Sequence, residues 1–179
     1  LSGVAGEGTA KGAEAIRTLQ APLKARYRED PASAVVTLKA EGRVSAEGIA
    51  CKVDTGRALV EAGLHPASGG SGLQACSGDM LLEALVACAG VTLKAVATAL
   101  DIEVRDGTVT AEGDLDFRGT LGVDKDAPVG FRALRLRFSL DTDADADRLA
   151  SLLKLTERYC VVYQSLRQPV PVATVLERA

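Results

Sequence analysis

Residues 78–97 read Gly-Asp-Met-Leu-Leu-Glu-Ala-Leu-Val-Ala-Cys-Ala-Gly-Val-Thr-Leu-Lys-Ala-Val-Ala, and this run constrains the fold more than any other stretch. Its length and composition predict a single helix from an N-cap at Ser77 to about Leu100. Asp79 falls in the first turn, where the helix dipole favours an acid. Apolar side chains occupy almost every direction around the axis, apart from a thin stripe of Glu83, Ala87, Gly90 and Lys94. A helix of that kind lies inside a molecule. Gly90 and the alanines would let another helix approach closely. Asp79, Glu83, Lys94 and Asp101 interrupt or flank the run, which favours a buried helix of a soluble protein over a membrane span.

The segments on either side alternate between strand and helix patterns. From Lys11 to about Arg28, Ile16, Leu19, Leu23 and Tyr27 share one helical face, with a break expected at Pro22. Residues 1–10 are small and Gly-rich and read as a tag remnant or a frayed end. Strands are expected at Ala34 to Ala40 and at Arg43 to Val53, the latter broken at Gly48, with Glu41-Gly42 as the turn between them. Asp54 to Gly72 reads as a loop with a short strand near Ala58 to Glu61. Beyond the long helix, Thr108 to Arg118 and Phe131 to Leu140 alternate as strands. In the second, Leu134, Leu136, Phe138 and Leu140 face inward, and Arg135, Arg137 and Ser139 outward. Four aspartates from Asp141 to Asp147 open a helix that carries Cys160 on its core face, and Val170 to Leu176 reads as a final strand. This order predicts an α+β fold with a mainly antiparallel sheet. The expected division is a tail and helix over 1–33 and a single domain over 34–179.

Composition removes several function classes. A formal net charge of -3 argues against a sequence-independent grip on nucleic acid. Four cysteines without Cys-x-x-Cys spacing, and one histidine, fit neither a secreted disulfide scaffold nor a zinc site. No cationic segment followed by an apolar one opens the sequence, so a cytoplasmic protein is expected.

Two of the cysteines, Cys88 and Cys160, fall on the faces that two helices would bury. Each can be read as a small packing residue, or both as a reactive dithiol. Reactivity needs the thiolate, and an apolar setting alone opposes it, so an active Cys88 requires a cation nearby. Arg43 and Arg57, at turn-like positions, are the candidates. Asp79 and Glu83 are the acids that could orient a guanidinium. Glu83 lies about 140° around the helix from Cys88 at 3.6 residues per turn, so any shared arginine must bridge faces or subunits. Such a pair can reduce a peroxide: Cys88 attacks, Cys160 resolves, and an external dithiol restores both. No cofactor or metal is expected. Cys51 and Cys76 read as structural, and His65 as a loop residue.

At this point the chain resembles the OsmC/Ohr family of thiol-dependent hydroperoxide reductases. The resemblance covers about residues 34 to 177. It rests on Asp79-Met-Leu-Leu-Glu-Ala-Leu-Val-Ala-Cys88, on Tyr159-Cys160-Val-Val-Tyr163, and on the order of elements. It departs at Ser77-Gly78, where the family's peroxidases carry Pro-Glu, and at Cys160-Val161, where they carry Cys-Pro. At the place of their arginine stands Ala40, with Lys39 and Arg43 beside it. The looser OsmC-like branch is the nearer likeness. The resemblance implies an intertwined homodimer with two central helices packed between sheets and each active site at the subunit interface. It implies a substrate that is a hydroperoxide, organic for preference. A small-molecule-binding or redox-sensing dimer without turnover is the alternative.

Overall fold

The structure, a computed structural model, describes residues 59–122 and 124–178, the backbone of 41–44 and 50–54, and five positions of an N-terminal helical stretch. Those five, Glu14, Thr18, Ala21, Ala25 and Glu29, are helical and exposed, and Thr18 Oγ1 donates to the Glu14 carbonyl at 2.9 Å. The apolar face expected at Ile16, Leu19, Leu23 and Tyr27, the break at Pro22, the frayed end at 1–10 and the strand at Ala34 to Ala40 lie outside the described residues.

Strands β1 (Glu41–Val44) and β2 (Ala50–Asp54) form an antiparallel hairpin, with Glu41 opposite Asp54 and Val44 opposite Cys51. The turn expected at Glu41-Gly42 is therefore part of a strand. The single strand expected from Arg43 to Val53 is two strands, and the reversal falls within 45–49, around the expected break at Gly48. The physical reason is backbone pairing, because two paired strands satisfy each other's amides and carbonyls. β3 (Leu59–Gly63) adds antiparallel to β2, and β4 (Ala75–Cys76) adds parallel to β3. Between them a single 310 turn (Pro66–Ser68) is capped by His65, whose Nδ1 accepts the Ala67 N–H at 3.0 Å.

The long helix α1 spans Ser77–Ala99. Its N-cap is Cys76 rather than Ser77, and no side chain caps it. One side is buried through Leu85, Ala89, Leu93, Val96 and Ala97. The opposite arc is open: Val91 is 74% exposed, with Leu81, Ala84 and Ala95 around it. Burial on every side is thus not reached among the described residues. By length and composition α1 would also pass for a membrane-crossing helix. The chain's own β5, α3 and α4, defined below, pack along it. Gly90 faces the Val109 side chain, so its neighbour is a strand and not the helix anticipated.

β5 (Asp106–Leu115) and β6 (Phe131–Asp141) form a second, antiparallel sheet. Leu134, Leu136, Phe138 and Leu140 are half-buried and Arg135, Arg137 and Ser139 exposed, following the alternation. β5 stops before the expected Arg118 because Asp116 caps a one-turn helix, α2 (Phe117–Thr120), accepting the Arg118 N–H at 3.2 Å. Phe117 leaves the strand and stacks on His65 at 5.0 Å.

α3 (Ala146–Tyr159) begins with Asp145 as N-cap, accepting the Arg148 N–H at 2.9 Å. Leu152, 1% exposed, joins Leu93, Val96, Ala97 and Ile102 in the core, with Phe138 and Leu149 packed against it. Burying such a leucine contributes roughly 1.5–3 kcal/mol. The helix does not run through Cys160, which has φ -73° and ψ 109°; a second helix, α4 (Val161–Arg167), starts after it. The final strand expected at Val170 to Leu176 is not formed. Val170, Val172, Val175 and Leu176 are exposed, and no described strand of this chain runs beside them to take their backbone bonds.

Candidate active site

The break at Cys160 builds the site. In an unbroken helix the amides of Val161, Val162 and Tyr163 would bond the carbonyls four residues earlier. The extended ψ of Cys160 takes them off that ladder and leaves them at the start of a new helix, α4. The Val162 and Val161 N–H groups act on the Cys88 sulfur, and those of Tyr163 and Val162 on the Cys160 sulfur. The corner itself is well bonded: the Cys160 N–H donates to the Thr156 carbonyl at 2.9 Å, and the Gln164 N–H to the Cys160 carbonyl at 3.0 Å. Thr156, fully buried, turns its hydroxyl onto the Leu152 carbonyl at 2.8 Å.

The two thiols differ in exposure and in proton affinity. Cys88 is half-buried, on the boundary between the covered and open sides of α1, and Cys160 is 1% exposed. Burial pushes the Cys88 thiol up, but the Val162 amide, the Cys160 thiol, the Val161 amide and the Thr92 hydroxyl together pull it below its ordinary value. For Cys160 burial comes first and wins, and the neighbouring Cys88 adds to the rise over the opposing Tyr163 and Val162 amides. Of the two thiols, Cys88 therefore gives up its proton the more readily.

Of the residues expected at a site, the fold brings Cys88 and Cys160 together. Asp79 and Glu83 lie elsewhere, around a shallow depression with Leu82, Val86, Ala87 and Ala111 on the β5 side of α1. Arg43 is in β1 opposite Lys52, with its side chain outside the described residues, and Arg57 lies outside them altogether. Sequence reasoning missed Thr92 and the three amides. Thr92 was visible, since it follows Cys88 by one helical turn on the same face. The amides carry no side-chain signature.

An apolar cavity of about 600 Å³ lies between β6, α3 and α4, lined by Leu93, Leu134, Phe138, Leu152 and Tyr163 among others and by neither cysteine. Arg137 and Glu157 are the charged residues lining it. Tyr163 connects it to the site, as its amide acts on Cys160.

The chain is thus an α+β fold with two free, interacting thiols at the junction of α1, α3 and α4. A family model described as OsmC-like protein matches residues 70–175, and the chain belongs to that family. Solved structures share the fold at low identity. The OsmC-like protein of Mycoplasma pneumoniae is 13% identical with a TM-score of 0.62, over 75% of this chain and 89% of that one. An OsmC-like protein of unknown function from Vibrio cholerae gives 13% and 0.60, over 73% and 94%. An organic hydroperoxide resistance protein OsmC from Legionella pneumophila gives 16% and 0.58, over 74% and 90%. A comparison with curated proteins gave no match.

Proposed function

We propose that the protein is a cysteine-based peroxidase that reduces organic hydroperoxides through a Cys88/Cys160 thiol–disulfide cycle. The observation that carries this reading is the asymmetric dithiol: an accessible Cys88 whose proton is loosened, against a sealed Cys160 whose proton is held. The Cys88 thiolate attacks the distal oxygen of ROOH, the O–O bond breaks, and the alkoxide leaves and takes a proton as ROH. Cys88 is now a sulfenic acid. Cys160 attacks it, the disulfide forms and water leaves. An external dithiol then reduces the disulfide and is itself oxidised. The cavity lined by Tyr163 supports an apolar R group, which gains burial there.

A homodimer belongs to the same reading. The open arc of α1 adjoins Cys88, and Val91 at its centre is an apolar side chain left exposed among the described residues. A second copy packed on that arc would cover it and close the approach to Cys88. A cytoplasmic setting, where thiols are kept reduced, fits a free dithiol that depends on a thiol reductant.

The test is turnover of an organic hydroperoxide with a dithiol reductant. Wild type should turn over, Cys88→Ser should not, and Cys160→Ser should be oxidised once and then stall. Undiminished turnover in Cys88→Ser would overturn the proposal. Absence of turnover in the wild type, with an apolar ligand held in the 600 Å³ cavity, would establish the second reading, a binding dimer.

A further inference from the structure

The break between α3 and α4 leaves the Glu157 carbonyl without its helical donor. In a continuous helix the Val161 N–H would bond it. Here that amide is turned to Cys88, and the carbonyl accepts instead from the Gln164 side chain, Nε2 to O at 2.7 Å, in a partly buried setting. Gln164 reaches back across seven residues to do this while its own N–H holds the Cys160 carbonyl at 3.0 Å. Both of its donors therefore serve the corner. A partly buried carbonyl without a donor is costly, and the nearest replacement donor is the Val161 amide. Without the glutamine, the corner would regain its bond by letting α3 run on through Val161. The Val161 amide would then leave Cys88.

We infer that Gln164 is the positioning residue of the thiol pair: its side-chain amide substitutes for the missing helical donor at Glu157 and keeps the helix broken at Cys160, so that the following amides face Cys88. Gln164 touches neither sulfur. Its influence runs through backbone geometry, and it deepens the dithiol reading above, on which its relevance to turnover rests.

The experiment measures the pH dependence of alkylation at Cys88, followed on the Cys88 peptide by mass spectrometry so that other thiols do not contribute. It compares the wild type with Gln164→Met, which keeps the side chain's length and removes the donor. The expected result is a low midpoint in the wild type and a higher one in Gln164→Met, with about a three- to tenfold loss of Cys88 thiolate at pH 7. Hydrogen exchange at the Val161 amide should slow in the variant as that amide rejoins the helix. Should Gln164→Met not fold, Gln164→Asn, one methylene short of the carbonyl, gives the same readout. A folded variant with an unchanged midpoint overturns the inference, even if its melting temperature falls. A wild type with an ordinary thiol midpoint overturns both the inference and the activated Cys88. A midpoint that responds to Gln164→Met in a protein that turns over no hydroperoxide upholds the inference and removes the peroxidase reading.

Discussion

Oxidation should join Cys88 to Cys160 and make the folded chain markedly harder to melt. The two residues are 72 positions apart in the sequence. A bridge between them removes the freedom of a long loop from the unfolded chain. The loop-entropy relation gives about 4 kcal/mol for a loop of this length, as a ceiling reached only when the native state accepts the bond without strain. The structure argues that it does, because the two thiols already act on each other's protons and Cys160 sits at the break between two helices. For a chain of this size each kcal/mol moves the midpoint by roughly 2–4 °C, so the oxidised protein should melt on the order of 10 °C higher. Scanning calorimetry of peroxide-treated and dithiothreitol-reduced protein measures the difference, and non-reducing peptide mapping identifies the bond. Cys88→Ser should show no such difference. If the 88–160 bond forms and the midpoint is unchanged or lower, the sulfurs are not juxtaposed in the resting fold. If mapping finds Cys76 in the bond instead, the pairing itself is refuted.

Thr92→Val keeps the shape of the side chain and removes the hydroxyl that acts on Cys88. The Cys88 midpoint should rise, and alkylation at pH 7 should slow by about two- to threefold, since a scarcer thiolate is partly offset by its greater nucleophilicity. Leu152→Ala removes the most enclosed leucine of the core and should cost about 2–5 kcal/mol in urea unfolding. Asp116 is held down to about 2 by the Arg118 guanidinium, with help from the Arg118 N–H. A depressed carboxylate stabilises the fold above its unfolded pKa, so this contribution should be complete above about pH 4 and vanish as the pH falls through about 2. Asp116→Asn should flatten that part of the stability–pH curve.

The elements that were legible in the sequence are those whose periodicity is their own. The run at 78–97 could only be a long helix, and Leu134 to Leu140 alternated cleanly enough to orient the side chains of that part of β6. The hairpin of β1 and β2 was misplaced because Glu41-Gly42 has turn composition, while the real reversal is fixed by which backbone groups find partners. Val170 to Leu176 has the composition of a strand but no neighbouring strand among the described residues, and composition does not reveal a neighbour. The helix through Cys160 was extended too far for a related reason. A proline after the cysteine would have marked a new helix start, and Val161 does not.

The sequence by itself determined that this chain is an α+β domain around one apolar helix, with Cys88 and Cys160 as the chemically interesting pair. Hydrophobic spacing is a local property and survives without coordinates. Which groups lower the proton affinity of Cys88 was decided by the tertiary structure. An apolar site demands positive charge or hydrogen-bond donors, and from residue types the natural supplier is an arginine. Among the described residues the groups that act on Cys88 include the backbone amides of Val161 and Val162, which follow a break at Cys160 and meet a helix that begins more than 80 residues earlier, while the side chains of Arg43 and Arg57 lie outside those residues. Every non-proline residue carries such an amide. Only the path of the chain decides which of them point at a sulfur.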